Sequence, residues 1–236
     1  MLGMMGDGFV LTMQLFLLTL LGSLPLGVIV ALMRMSNIRP FRFLEGKGSG
    51  AGRATCNFIS KFNPIGLIAR FYISLLRGTP LMLQMFAIYF APYYLFGISL
   101  TPTSKWTATV IAFILNYAAY FAEIYRSGIQ SIPRGQYEAA QVLGYSRTQT
   151  FFKIVLPQVI KRIMPAMGNE VITLVKDTSL AFAIGVAEMF SVSKGLVAGG
   201  QGFFPFVLAA AFYWVFNMVV ELIVGFIEKR LDYYHD

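Results

Sequence analysis

Cysteine and histidine are almost missing from this sequence, which has one of each, Cys56 and His235. A single thiol excludes an intrachain disulfide and a thiolate metal cage, and a single imidazole excludes a histidine metal cluster. Charge is scarce as well: Asp, Glu, Lys and Arg together make up 13% of the chain, against about 25% in an ordinary soluble domain. No Lys or Arg precedes Arg34, so the first apolar run lacks the basic flank of a cleaved signal peptide; it is also too long for an h-region and is expected to remain as a first span. No G-x-x-x-x-G-K-[ST] phosphate loop occurs, which excludes ATP hydrolysis by that chemistry. No nucleophile–base pair stands out to support a membrane enzyme. Internal repeats of the kind that build many secondary transporters are also lacking, so a translocation path needs a second subunit or copy.

What the chain has in abundance is apolar surface: 57% of its residues are hydrophobic, including 22 Phe and 12 Tyr. Charges cluster between long neutral stretches, Gly8 to Met33, Gly78 to Ser104, Trp106 to Ala122 and Gly195 to Val220. Each is near or above the roughly 17 to 25 residues that cross a bilayer as a helix. Strands of about 9 to 11 alternating residues do not fit. The fold class is therefore an all-α polytopic membrane protein in one transmembrane domain. Its five spans are expected near Phe9–Met33, Thr79–Phe96, Thr107–Tyr125, Ile163–Ala187 and Phe206–Ile227. Of the 19 Lys and Arg, all but Lys105, Lys176 and Lys194 then fall on one side of the membrane. The positive-inside rule makes that side cytoplasmic, with the N-terminus outside and the C-terminus inside. The net charge of +8 is thus a property of membrane flanks rather than a nucleic-acid footprint. Residues 42–61, with EGKGSGAGR at Glu45 to Arg53, read as a flexible cytoplasmic linker.

Between the third and fourth spans lies a polar segment, Ser131 to Arg162. Pro133 at its head, the helix-forming run Tyr137 to Leu143, Gly144, and then Phe151, Phe152, Ile154, Val155 and Leu156 read as a short helix, a turn and a second short helix ended by Pro157. Such a pair offers an apolar knob to a soluble partner, or lies as an amphipathic helix on the bilayer. Glu138-Ala139-Ala140, three residues, Gly144, nine residues, Ile154, one residue and Leu156-Pro157 resemble the EAA loop of ABC importer permeases. The neighbouring motifs Arg77-Gly78-Thr79-Pro80, Asn116-Tyr117-Ala118-Ala119-Tyr120, Ala122-Glu123-Ile124, Ser131-Ile132-Pro133, Gly135-Gln136 and Lys176-Asp177-Thr178-Ser179-Leu180 resemble the polar amino acid uptake subfamily. The resemblance is dense from Arg77 to Glu188 and thin in the linker and the last span.

The resemblance implies a type I ABC importer permease in a bacterial inner membrane. It pairs with a second permease subunit, two cytoplasmic ATPase subunits that use ATP and Mg, and an external solute-binding protein. Glu138, Ala139, Ala140, Gly144, Leu156 and Pro157 form the coupling element toward the ATPase. The permease itself carries no cofactor.

An amino acid zwitterion crossing hydrocarbon needs partners for both its charges. Asn116 lies ten residues before Arg126, roughly 15 Å along a helix and so near the midplane. Gln84, Asn116, Tyr117, Asn169 and Glu170 are the candidates for a polar path; the same residues also fit helix-to-helix hydrogen bonding. Lys176 and Asp177 read as a structural or gating ion pair, and Glu123 and Arg126, three apart, as a pair at the cytoplasmic edge. The rival classes are a secondary transporter or channel, which leaves the loop motif unexplained, and a membrane scaffold, which leaves the midplane polar residues without purpose.

Overall fold

The computed structural model describes residues 1–38, 40, 60 and 62–231. The linker expected over 42–61 lies, apart from Ser60, outside the described residues, as do Cys56 and His235. The regular elements are helices: α1 (Leu2–Met35), α2 (Pro64–Gly78), α3 (Leu81–Phe96), α4 (Pro102–Gln130), α5 (Arg134–Val142), α6 (Arg147–Thr150), α7 (Leu156–Asp177), α8 (Met189–Ala198) and α9 (Phe204–Leu231). A π turn, Phe151–Val155, joins α6 to α7, and a 3-10 stretch, Thr178–Ile184, prolongs α7. Among the described residues, α1, most of α4 and α9 are each long and apolar enough to cross a membrane. Counting each of two bent helix pairs as one span gives five.

The α1–α4 pair is the spine. On α1, Thr19, Ser23 and Gly27 recur at four-residue spacing and are buried. A Cβ at Gly27 would stand 2.9 Å from Phe121 Cβ and 3.2 Å from the Ala118 carbonyl. Lipid tails are as apolar as leucine, so helices in a bilayer associate by close packing, and small residues permit it. Around this seam Leu15, Phe16, Met85, Tyr89, Phe113, Tyr117, Phe121, Leu174 and Phe216 form the main core. At one end of the bundle Gly8 meets Met189 and Val192; at the other Gly128 meets Ile163 and Val159. With Tyr117 beside Asp177, the Gly128 contacts make α7 antiparallel to α4, and Gln84 beside Asn116 joins α3 to the same helix.

The structure departs from the expected spans in three places. The second span is the far arm of a bent pair: α2 and α3 meet at 110°. Arg70 and Arg77 placed α2 among the loops, yet its Ala69 and Ile73 pack on Val30, Ala31, Ala119 and Ala122. The break follows from Thr79-Pro80, since a residue before proline is driven to extended backbone, and Thr79 has ψ 146°. Pro157 does not end a helix. It sits in the first turn of α7, and the preceding π turn, in which the Leu156 N–H donates to the Phe151 carbonyl, absorbs the irregularity at proline. The fourth span begins before Ile163, and its last turns tighten to 3-10 before Gly185, at φ +78°.

Replacing Gly27 with leucine is expected to lower stability by about 1–3 kcal/mol, the usual effect of overpacking. Gly195→Ala, where a Cβ meets nothing within 4 Å, is expected to leave it unchanged. Thermal unfolding of the detergent-purified chain checks both.

Candidate functional site

The bend at Thr79 frees the last carbonyls of α2, and Pro80 has no N–H to offer them. Two side-chain amides answer. Gln84 Nε2 donates to the Leu76 carbonyl at 2.9 Å, the Thr79 carbonyl at 3.0 Å and Thr79 Oγ1 at 2.9 Å. Asn116 Nδ2 donates to the Leu76 carbonyl at 3.1 Å and to Gln84 Oε1 at 3.0 Å. Both side chains are buried, and the Tyr72 hydroxyl adds a bond to the Leu115 carbonyl at 2.6 Å. The amide donors of Gln84 and Asn116 are taken up by these bonds between helices.

A second polar group lies beside this knot. The Tyr117 ring stacks on Phe113 and its hydroxyl donates to Asp177 Oδ2 at 2.7 Å. Asp177, expected to pair with Lys176, thus bonds Tyr117, and Lys176 acts on it electrostatically. Consecutive residues on a helix point in different directions, so Lys176 is exposed while Asp177 turns to Tyr117. The Arg77 guanidinium lies 5.1 Å over the Tyr120 ring. Glu170 is partly buried, and Arg77 and Asp177 both act on it electrostatically. Asn169 is exposed. The structure thus gathers Arg77, Tyr117, Tyr120, Glu170 and Asp177 around the middle of α4 and the C-terminal half of α7. At the edge, Arg126 Nε donates to Glu123 Oε2 at 3.0 Å and its Nη2 to Oε1, the expected pair.

Sequence reasoning missed Glu188. It is fully buried and caps α8: its Oε1 accepts from the Ser191 N–H at 2.7 Å, and its Oε2 from the Phe190 N–H at 2.7 Å and the Tyr213 hydroxyl at 3.0 Å. Thr12 Oγ1 accepts from the Met189 N–H at 3.2 Å and donates to the Gly8 carbonyl at 3.0 Å. One carboxylate and one hydroxyl thereby tie α1, α8 and α9 together. The signal is weak in sequence because N-caps are usually Ser, Thr, Asp or Asn.

The segment from Ser131 to Arg162 projects beyond the bundle. α5 ends in a Schellman turn, with the Tyr145 N–H on the Ala140 carbonyl, the Gly144 N–H on the Gln141 carbonyl and Gly144 at φ +78°, a geometry glycine adopts without penalty. Ser146 and Gln149 then form a capping box that starts α6. The knob's tip is apolar yet open: Val142 is 87% exposed, Leu143 72% and Phe152 61%. Glu138, Ala139, Gly144 and Pro157 are exposed, Leu156 is partly so, and Ala140 is buried. The base is fixed by Ile132, Val155, Val159 and Ile163, which form a small core with Ile124, Tyr125 and Phe151, and by Arg162 Nη1 donating to the Ser131 carbonyl.

Residues 48–233 match the family described as binding-protein-dependent transport system inner membrane component. The chain belongs to that family. This permease is similar to the L-cystine transport system permease protein TcyB of Bacillus subtilis, 34% identical with 98% of this chain and 87% of the relative covered. It is also similar to the putative glutamine transport system permease protein GlnP of Rickettsia bellii, 32% identical over 95% of this chain and 91% of the relative. The arginine transport system permease protein ArtQ of Bacillus subtilis is 31% identical, over 95% and 91%. A solved amino acid ABC transporter with histidines superposes with a TM-score of 0.78 at 31% identity, covering 97% of this chain and 94% of that one. The MetNI methionine ABC transporter, at 16% identity and TM-score 0.63 over 96% and 94%, shares the fold. The permease is a transport subunit with a type I importer fold rather than an enzyme.

In this permease the Glu188 cap is expected to matter for stability. Glu188→Ala should destabilise by about 1–2 kcal/mol, the upper range for a lost N-cap. Gln84→Ala, which strips the α2 carbonyls of a partner, should cost a similar amount or more. Thermal unfolding of the purified permease reads both, and an unchanged midpoint for either variant contradicts the assignment.

Proposed function

We propose that this permease imports a polar amino acid across a bacterial inner membrane, driven by ATP that a separate ATPase hydrolyses with Mg. The observation that carries the reading is the apolar tip of Val142, Leu143 and Phe152 held open to water beside Gly144. Exposed apolar residues on a rigid helix pair are what a groove on a soluble partner takes up. Glu138 stands at that surface for polar contacts, Ala139 permits close approach, and Ala140 and Gly144 shape the turn. The basic flanks put this end in the cytoplasm and the N-terminus outside. A second permease copy or a related chain completes the path, a dimer of ATPase subunits docks on the loops, and a solute-binding protein delivers substrate at the opposite end.

The path is proposed along the group that lies between the bend and the loop. Arg77, held over Tyr120, suits a carboxylate, and Glu170 with the Asp177–Tyr117 pair suits an ammonium. Cystine, glutamine and arginine, named for the relatives, differ in side chain and share that zwitterion, which supports reading the two charges as the common element. Gln84 and Asn116 border the path as structural supports, and Asn169 extends it.

Leu143→Asp in the assembled importer is expected to weaken ATPase docking at least about tenfold, or ~1.4 kcal/mol, as for a central interface residue. Amino acid uptake should fall with it while the permease still inserts. Gly144→Val, strained by about 1–2 kcal/mol at positive φ, should act in the same direction. Uptake in proteoliposomes containing ATPase and binding protein checks both. Uptake that persists, or that runs on an ion gradient without ATP, contradicts the reading.

A further inference from the structure

At the loop end of the bundle, α7 and α9 part. One turn deeper they are tightly joined: a Cβ at Gly168 would stand 2.4 Å from Val224 Cγ1. Toward the loop the seam opens, because Pro165 and Gly225 put little between the helices and a Cβ at Gly225 meets nothing within 4 Å. The result is a cavity of about 380 Å³ lined by Lys161, Met164, Pro165, Gly225, Glu228 and Lys229. Lys229 and its neighbour Arg230 are exposed, with the Arg230 guanidinium 5.6 Å over the Phe226 ring. The outer face of α9 beside it, Leu222, Ile223, Phe226 and Ile227, is exposed and apolar.

From this juxtaposition of a cationic rim, an apolar floor and a bilayer-facing flank, we infer that the α7–α9 groove binds an anionic phospholipid. The headgroup phosphate sits at Lys229, and the start of an acyl chain lies along Met164, Pro165 and Gly225. Lysines at the ends of spans stand at headgroup depth, and basic pockets between helices on the cytoplasmic side suit anionic headgroups. Glu228, the acidic member of the lining, lies near Gly168 at the deep end of the groove. It disfavours a second negative charge there and leaves the rim to a single phosphodiester. Free phosphate lacks the chain that the apolar floor receives.

The full-length permease in nanodiscs, with phosphatidylglycerol or phosphatidylcholine as the minor lipid, is the test, read as co-purifying lipid by native mass spectrometry. About tenfold enrichment of phosphatidylglycerol is expected. It should fall to the phosphatidylcholine level in Lys229→Gln and survive in Lys194→Gln, at the opposite end. Gly225→Leu fills the groove with its charges intact and should also abolish enrichment. Equal retention of the two lipids, indifference to both the lysine and Gly225 variants, or displacement of the lipid by millimolar inorganic phosphate would overturn the site.

Discussion

Backbone carbonyls freed inside hydrocarbon are the constraint on which this fold depends. A bilayer offers no water to satisfy them, so irregular backbone at that depth survives only where protein supplies the bonds. The chain breaks at Thr79-Pro80, and the amides of Gln84 and Asn116 close the break at 2.9–3.1 Å. The second irregularity, where the 3-10 stretch ends near Gly185, is closed differently. There a buried glutamate takes the first N–H groups of α8 and a tyrosine hydroxyl from α9. Both repairs reach across helices, so each break also fixes the placement of the neighbouring helix.

Helix α4 links the first of these repairs to the loop. Asn116 closes the bend, Tyr117 holds Asp177, Tyr120 faces Arg77, Glu123 grips Arg126, and Ser131 receives Arg162. In chain order, these positions lead from the polar centre to the projecting loop along one continuous helix. Close packing on α1, enforced by Gly27 against Ala118 and Phe121, makes that helix stiff. A displacement of the loop therefore has a short mechanical route to the groups proposed to meet substrate. The second route is α7, which joins the π turn to Asp177 without a break in its helical backbone.

The bundle was largely legible in the sequence because apolar length reports directly on a bilayer, and the loop was legible because helix, glycine turn and helix leave local signals. The Glu123–Arg126 pair followed from spacing alone. Helix α2 did not, because its exposed Leu67, Ile68, Phe71 and Leu75 alternate with Arg70 and Arg77, and a hydropathy reading weighs the cations over the stripe. Asp177 reads in sequence as the partner of its neighbour because the group that holds it, Tyr117, lies 60 positions away. Glu188 looks like any acidic residue near a span end; only tertiary structure brings Tyr213 and Thr12 to it. Pro157 carries an ordinary stop signal that a π turn overrides.

The central claim is that the open tip of α5 is a cytoplasmic docking surface for the ATPase, and one labelling experiment addresses it directly. Cys56 is the only native thiol, so Cys56→Ser with Val142→Cys places a single reporter on the tip. The account predicts that a membrane-impermeant maleimide labels it only in opened cells, and that co-expressed ATPase subunit protects it there. Labelling from outside intact cells, or labelling indifferent to the ATPase, would contradict the account.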